Sequence, residues 1–211
     1  MKAVIISGGK MPSEGLLKEE LKNCDYIVSA DSGANCLYKY KIIPDVLIGD
    51  FDSINEEVFD YFKKFHINTI KYPREKDFTD TELALKEALK FKVDEVTFLG
   101  CTGSRLDHIF GNLGLLYRCL KKGVRAYIKD DNNILFMIDK TTVIEGDLGE
   151  IFSIQGFRSE INKLSIEDAK YPLKDYDLNF GDSRTVSNEF LDKPVKIIFQ
   201  NGTVIVMKCK D

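Results

Sequence analysis

The stretch Pro44–Ile54 reads PDVLIGDFDSI. Val46 to Ile48 form an apolar run of strand length, and the run stops at a glycine followed by two aspartates around a phenylalanine. In parallel α/β sheets, ligands bind in the crevice beyond the carboxyl ends of the strands. A strand that ends abruptly in Asp50 and Asp52 is therefore worth placing in such a sheet, if the flanking sequence builds one.

It does so on both sides. Upstream, AVIIS (3–7) and DYIVSAD (25–31) read as strands, separated by a helical pattern over SEGLLKEELKNC and followed by GANCLYKYK. Downstream, NEEVFDYFKKF is helical, with Val58, Phe59, Phe62 and Phe65 near one face, and INTIKYP is a fourth strand. TDTELALKEALKFK opens with a capping-box pattern, Thr79 with Glu82 three residues on. EVTFLG is a fifth strand, RLDHIFGNLGLLYRCLKKG a long helix ended by Gly123, and RAYIKD a sixth strand. This alternation predicts a mostly parallel, helix-covered sheet.

After about Asn133 the pattern changes. NILFMID, TTVIEG, EIFSIQGF, NKLSIED, VKIIFQ and TVIVMKC are short β-type runs with no convincing helix between them. FQNGTV carries Asn201-Gly202 between two apolar runs, the strongest local hairpin signal. The polar stretch KDYDLNFGDSRTVSNEF reads as a long functional loop. The expectation is an α/β domain over 1–132 followed by a smaller all-β sandwich over 133–211.

Composition narrows the function. The formal net charge of -4 argues against nucleic acid as a partner. No apolar stretch approaches the roughly 20 residues of a membrane span, and the N-terminus reads as a first strand rather than a signal peptide. The five cysteines are scattered with no C-x-x-C pair, and there are two histidines. That argues against a disulfide framework or zinc and for a cytoplasmic protein.

Asp31 ends the second strand, Asp50 and Asp52 the third, and Asp80 opens the helix after the fourth. If the third strand runs on through Asp52, both of its aspartates face one side. Oxygen-only ligands gathered there suit Mg²⁺, which takes one or two carboxylates plus substrate phosphates. The alternative is a turn in which the aspartates cap backbone amides, with Asp80 complementing a helix dipole. GCTGSRLDH (100–108) joins the fifth strand to its helix, and its small residues let backbone amides approach an anion. Arg105 there can fork onto phosphate oxygens, and Asp107 can orient it or meet a cationic substrate; the bland reading is an ordinary turn with a solvated arginine. No G-x-x-x-x-G-K-[ST] or G-x-G-x-x-G motif is present.

Taken in order, ADSGAN (30–35), PDVLIGDFDSI (44–54), KDFTDTELAL (76–85), GSRLDHIFGNL (103–113), KYPL (170–173) and VSNEF (186–190) resemble the thiamine pyrophosphokinase family. The resemblance implies transfer of a diphosphate from ATP to the thiamine hydroxyl, with Mg²⁺ as cofactor. It also implies an α/β catalytic domain, a thiamine-binding β-sandwich and a homodimer with substrate sites formed between subunits. Asp50, Asp52 and Asp80 would be the metal ligands and, with Arg105, the catalytic residues. Asp31, Ser32, Asp77, Thr79, Thr102, Gly103, Arg105 and Asp107 would surround the nucleotide. Asp107, Asn112, Tyr171, Ser187 and Asn188 would contact the vitamin, Tyr171 by stacking. Two departures stand out. Ser32 replaces a glycine of the usual ADGGAN, and Asp168-Ala169 replace the Gly-Leu of GLKY. The resemblance leaves open another hydroxymethyl heterocycle, such as a pterin, as acceptor, or a non-catalytic binding module.

Overall fold

The computed structural model describes residues 1–210. The chain forms two compact units that part between Asp131 and Asn132.

The first unit runs β1 (Lys2–Ile6), α1 (Glu14–Leu21), β2 (Tyr26–Ala30), α2 (Gly33–Lys39), β3 (Val46–Gly49), α3 (Glu56–Lys63), β4 (Asn68–Lys71), α4 (Asp80–Ala88), β5 (Glu95–Leu99), α5 (Leu106–Lys121) and β6 (Arg125–Lys129). These strands are parallel, in the order β6-β5-β1-β2-β3-β4. The chain thus winds outward from β1 to β4, then returns to lay β5 on the other side of β1. Val4, Ile6, Leu47 and Leu99 pack with Leu17, Leu37, Val58 and Phe62 from α1, α2 and α3. Strand residues of opposite parity, such as Ala3 and Ile5, are equally buried, and α4 lies across β1, β2 and β3. Burial on both faces explains why β1, β2, β3 and β5 read as continuous apolar runs rather than alternating ones, while the edge strand β4 is mostly exposed.

The Thr79–Glu82 signal is half realised. Thr79 Oγ1 accepts the Glu82 N–H at 3.2 Å. The Glu82 carboxylate turns instead to Arg118 at 2.5 Å and Lys86 at 3.2 Å.

The second unit contains β7 (Asn133–Ile138), β8 (Thr142–Ile144), β9 (Ile151–Phe157), β10 (Ile161–Glu167), β11 (Leu173–Leu178), β12 (Asn188–Glu189), β13 (Val195–Ile198) and β14 (Thr203–Cys209). They form two antiparallel layers, β12-β9-β14-β7 and β11-β10-β13-β8. Phe152, Ile154, Val204 and Val206 of the first meet Ile161, Leu164, Ile166 and Ile197 of the second, with Phe190 beside them. Inner faces that interleave in this way make a sandwich.

Two expectations fail here. The stretch read as one long loop contains β11 and β12. Strand β11 is an edge strand, and Lys174, Asp175 and Asp177 are exposed along it while Leu178 is buried. Polar residues on an edge strand hide the β pattern while blunting the edge. Nor does Asn201-Gly202 close a two-stranded hairpin, because β13 and β14 belong to different layers. The turn is a corner between sheets. Gly202 takes φ 91°, and Asn201 Oδ1 accepts the Asn162 N–H at 3.0 Å.

Candidate active site

A cleft of about 750 Å³ opens in the first unit where the winding reverses, between the loops that follow β1 and β5. This is the crevice position general to open α/β sheets. The two loops continue the β1–β5 ladder beyond the strands. Ser7 N–H bonds to Leu99 O at 2.8 Å, Gly9 N–H to Gly100 O at 2.7 Å, and Lys10 N–H to Thr102 O at 2.6 Å. Glycine is required here by contact. A Cβ on Gly9 would lie 2.2 Å from Thr102 O, and one on Gly100, whose φ is 65°, would lie 2.1 Å from Ser7 O.

Three carboxylates converge on one wall. Asp31, Asp50 and Asp52 each offer an oxygen within 4.8 Å of the others. Strand alternation is not the reason, since β3 ends at Gly49 and Phe51 is left-handed at φ 67°. The carboxylates meet through a tight turn in which Asp52 N–H bonds to Asp50 Oδ1 at 3.1 Å. That amide, reinforced by Lys76, holds the Asp50 carboxyl below its ordinary pKa. Asp31 is also left-handed, at φ 45°, and its buried Oδ1 has no hydrogen-bond partner.

Asp80 lines the same cleft but lies outside this trio. Its Oδ1 sits 3.1 Å from Lys76 Nζ, which also reaches Asp50 Oδ2 at 3.2 Å. Burial raises the Asp80 carboxyl despite that lysine. Lys76 went unassigned in the sequence reading. The available signal was a cation spaced i, i+4 before an aspartate already singled out.

The other residues divide by what their side chains do. Ser32 lines the cleft, and its Oγ fills space that Gly8 leaves open; a Cβ on Gly8 would be 1.9 Å from it. The departure to serine is thus accommodated by the glycine opposite. The Thr79 hydroxyl caps α4, and Thr102 Oγ1 donates to buried Asp130 at 2.8 Å. Gly103, at φ 145°, would place a Cβ 3.2 Å from Lys10 N. Buried Asn112 ties α5 to the β5 loop by donating to Cys101 O at 2.8 Å. Arg105 stands at the rim and forks onto Asp107 at 3.2 and 2.6 Å, both groups solvated. Asp77 is exposed and is not part of the cleft wall.

The second unit carries a separate cavity of about 430 Å³ walled by Tyr171, Arg184, Ser187 and Asn188 among others. Asn188 is buried, and its amide bonds to the Tyr171 backbone on both sides. Tyr171 N–H donates to Asn188 Oδ1 at 3.0 Å, and Asn188 Nδ2 donates to Tyr171 O at 2.8 Å. The Tyr171 ring is left 57% exposed. Ser187 is left-handed at φ 57°, and its N–H donates to Ser153 Oγ at 3.0 Å. Ala169, one of the two departures, is buried in the sandwich core, and Asp168 is left-handed at φ 62°.

A parallel sheet with an acidic, glycine-lined crevice at its reversal point is the architecture of an α/β ligand-binding protein. Comparison with known proteins supplies the family. Residues 17–128 match the model of the thiamin pyrophosphokinase catalytic domain, and 140–204 that of the vitamin B1 binding domain. The chain is 32% identical to the thiamine pyrophosphokinase of Bacillus subtilis over 87% of both chains. It superposes on a crystal structure of thiamine pyrophosphokinase from that organism with TM-score 0.91, at 29% identity and full coverage of both. A thiamin pyrophosphokinase family protein from Enterococcus faecalis gives 0.86 at 28% identity, also over all of both chains. The chain belongs to the thiamin pyrophosphokinase family, whose reaction is ATP-dependent diphosphate transfer to thiamine. Among the described residues, no helix is long and apolar enough to cross a membrane.

Proposed function

We propose that this chain makes thiamine diphosphate and AMP from thiamine and ATP in the first unit's cleft, with Mg²⁺ held by Asp31, Asp50 and Asp52. The observation that carries this reading is the convergence of those three carboxylates within 4.8 Å beside a glycine floor. The donor set fits the ion, being all hard oxygen, and the unpartnered buried Oδ1 of Asp31 is an acceptor in need of a cation. Bound there, Mg²⁺ would neutralise the charge that develops on the transferred phosphates.

The chain's own groups do the rest. The β1 and β5 loops line the cleft with Gly8, Gly9, Gly100 and Gly103, and the N-terminus of α5 would favour the negative charge of phosphates. Arg105, on releasing Asp107, presents a fork that matches phosphate oxygens. Asp80 joins the carboxylate set through Lys76. Attack by the thiamine hydroxyl on the β-phosphorus, with AMP leaving and the hydroxyl proton passing to one of the cleft's aspartates, needs positioning more than covalent help.

The thiamine ring is assigned to the cavity of the second unit, and its hydroxyl would reach the phosphates of a cleft through substrate sites formed between the subunits of a homodimer. There Tyr171 supplies a stacking face worth about 0.5–2 kcal/mol toward a cationic heterocycle. Ser187 lines that cavity, and Asn188 holds the aromatic in place. The working form is taken to be a cytoplasmic homodimer. Purified protein with ATP, Mg²⁺ and a panel of hydroxymethyl heterocycles tests the reading by AMP release. Thiamine-dependent AMP supports it. AMP with a pterin but not thiamine would transfer the assignment to that acceptor, and binding without AMP would leave a non-catalytic module.

A further inference from the structure

Among the described residues, Lys76 is a well-sheltered cation that contacts two of the cleft's aspartates. Its side chain is 11% exposed, and its ammonium lies 3.2 Å from Asp50 Oδ2 and 3.1 Å from Asp80 Oδ1. With the Asp52 N–H on Oδ1, both oxygens of Asp50 are engaged. Arg74 reaches Asp52 at 3.3 Å, but it is 84% exposed and water screens it. Asp50 and Asp80 therefore share Lys76 as a sheltered counter-charge. Four carboxylates in one half-buried wall would otherwise repel one another.

We infer that Lys76 is a positioning residue that serves as the resident counter-ion of this wall, fixing Asp50 and Asp80 when no divalent ion is present and weakening the binding of one. The inference rests on the metal reading above. It makes the cluster a regulated one, because an ion that enters alone must contend with the ammonium. Substrate that arrives with phosphate oxygens can draw the ammonium away from Asp50, so binding of ion and nucleotide becomes coupled. The cost to a lone ion is set by Coulomb's law. A unit charge a few ångströms from a dication is worth roughly tenfold in affinity even under water-like screening.

The test uses Mn²⁺ as the probe ion, with free Mn²⁺ followed by electron paramagnetic resonance in the absence of nucleotide. Lys76→Met should bind Mn²⁺ at least about tenfold more tightly than the parent, and Lys76→Arg, which keeps the charge, should stay within about threefold. Thermal melting supplies a second readout. Metal-free Lys76→Met should melt below the parent and recover more on adding Mn²⁺ than the parent does. If the parent binds Mn²⁺ and Lys76→Met binds it no more tightly, the counter-ion role is wrong while the metal site stands. If the parent makes AMP yet binds no Mn²⁺ with or without ATP, the metal reading falls and this inference with it.

Discussion

Glu20 offers a quantitative check on how the first unit is held. It sits on α1 with its side chain 7% exposed, and it ties that helix to three strands. Oε2 accepts Lys2 Nζ of β1 at 2.9 Å and Thr97 Oγ1 of β5 at 3.1 Å, and Oε1 accepts Lys129 Nζ of β6 at 2.6 Å. Burial pushes this carboxyl up, but the hydrogen bonds from Lys129 and Lys2 outweigh it and hold the pKa below the ordinary 4.5. Glu20→Gln keeps the shape, loses the charge and turns an amide NH₂ toward a lysine. Breaking a buried pair from one side costs about 3–5 kcal/mol. Both lysines here are about one-fifth exposed and Lys2 keeps Glu95 at 3.9 Å, so part of that is recovered through water. We therefore expect about 3 kcal/mol, or a fall in Tm of roughly 6–12 °C for a chain of this size. Urea unfolding at pH 7 measures it. The sign with pH follows from the lowered pKa: the stabilisation is present above 4.5 and is lost as pH falls through the folded value, so parent and variant should converge in acid. A loss under 1 kcal/mol at pH 7, or a gap that widens in acid, would refute the argument.

Asp52→Asn should lower AMP formation by at least two orders of magnitude with the fold intact by circular dichroism; near-normal turnover would remove Asp52 from the metal wall. Tyr171→Ala should raise the KM for thiamine several-fold and leave that for ATP unchanged, as judged by initial rates against each substrate. Gly9→Ala drives a methyl into Thr102 O and Gly100 O, both backbone atoms, so it should abolish nucleotide binding or soluble expression, whereas Gly8→Ala meets Ser32 Oγ, which can rotate, and Ser32 Cβ at 3.1 Å, so it should be impaired less than Gly9→Ala.

Much of the fold was legible because period and punctuation agreed. Strands β1, β2, β3 and β5 are buried on both faces, and runs such as Val46–Ile48 announce that directly. Strand β11 was hidden because an edge strand with one buried face in a small sandwich can be mostly polar. Asn201-Gly202 misled because a turn signal specifies a reversal, and the next strand can leave by either layer. In the site, the aspartates were readable by type and by their place after strands. The means of convergence was not, since a left-handed Phe51 is unusual for a bulky residue and no local rule points to it. Lys76 was legible only toward Asp80, four residues on; its second partner, Asp50, is brought to it by the fold from the end of β3.

The way Asn188 grips both main-chain groups of Tyr171 has an evolutionary corollary. The loop's path is guaranteed by a neighbour's amide, so the identity of the ring projecting from it is free to vary without unravelling its support. Position 171 is thus a place where acceptor preference could drift or be engineered by single substitutions, at little expense to the sandwich beneath.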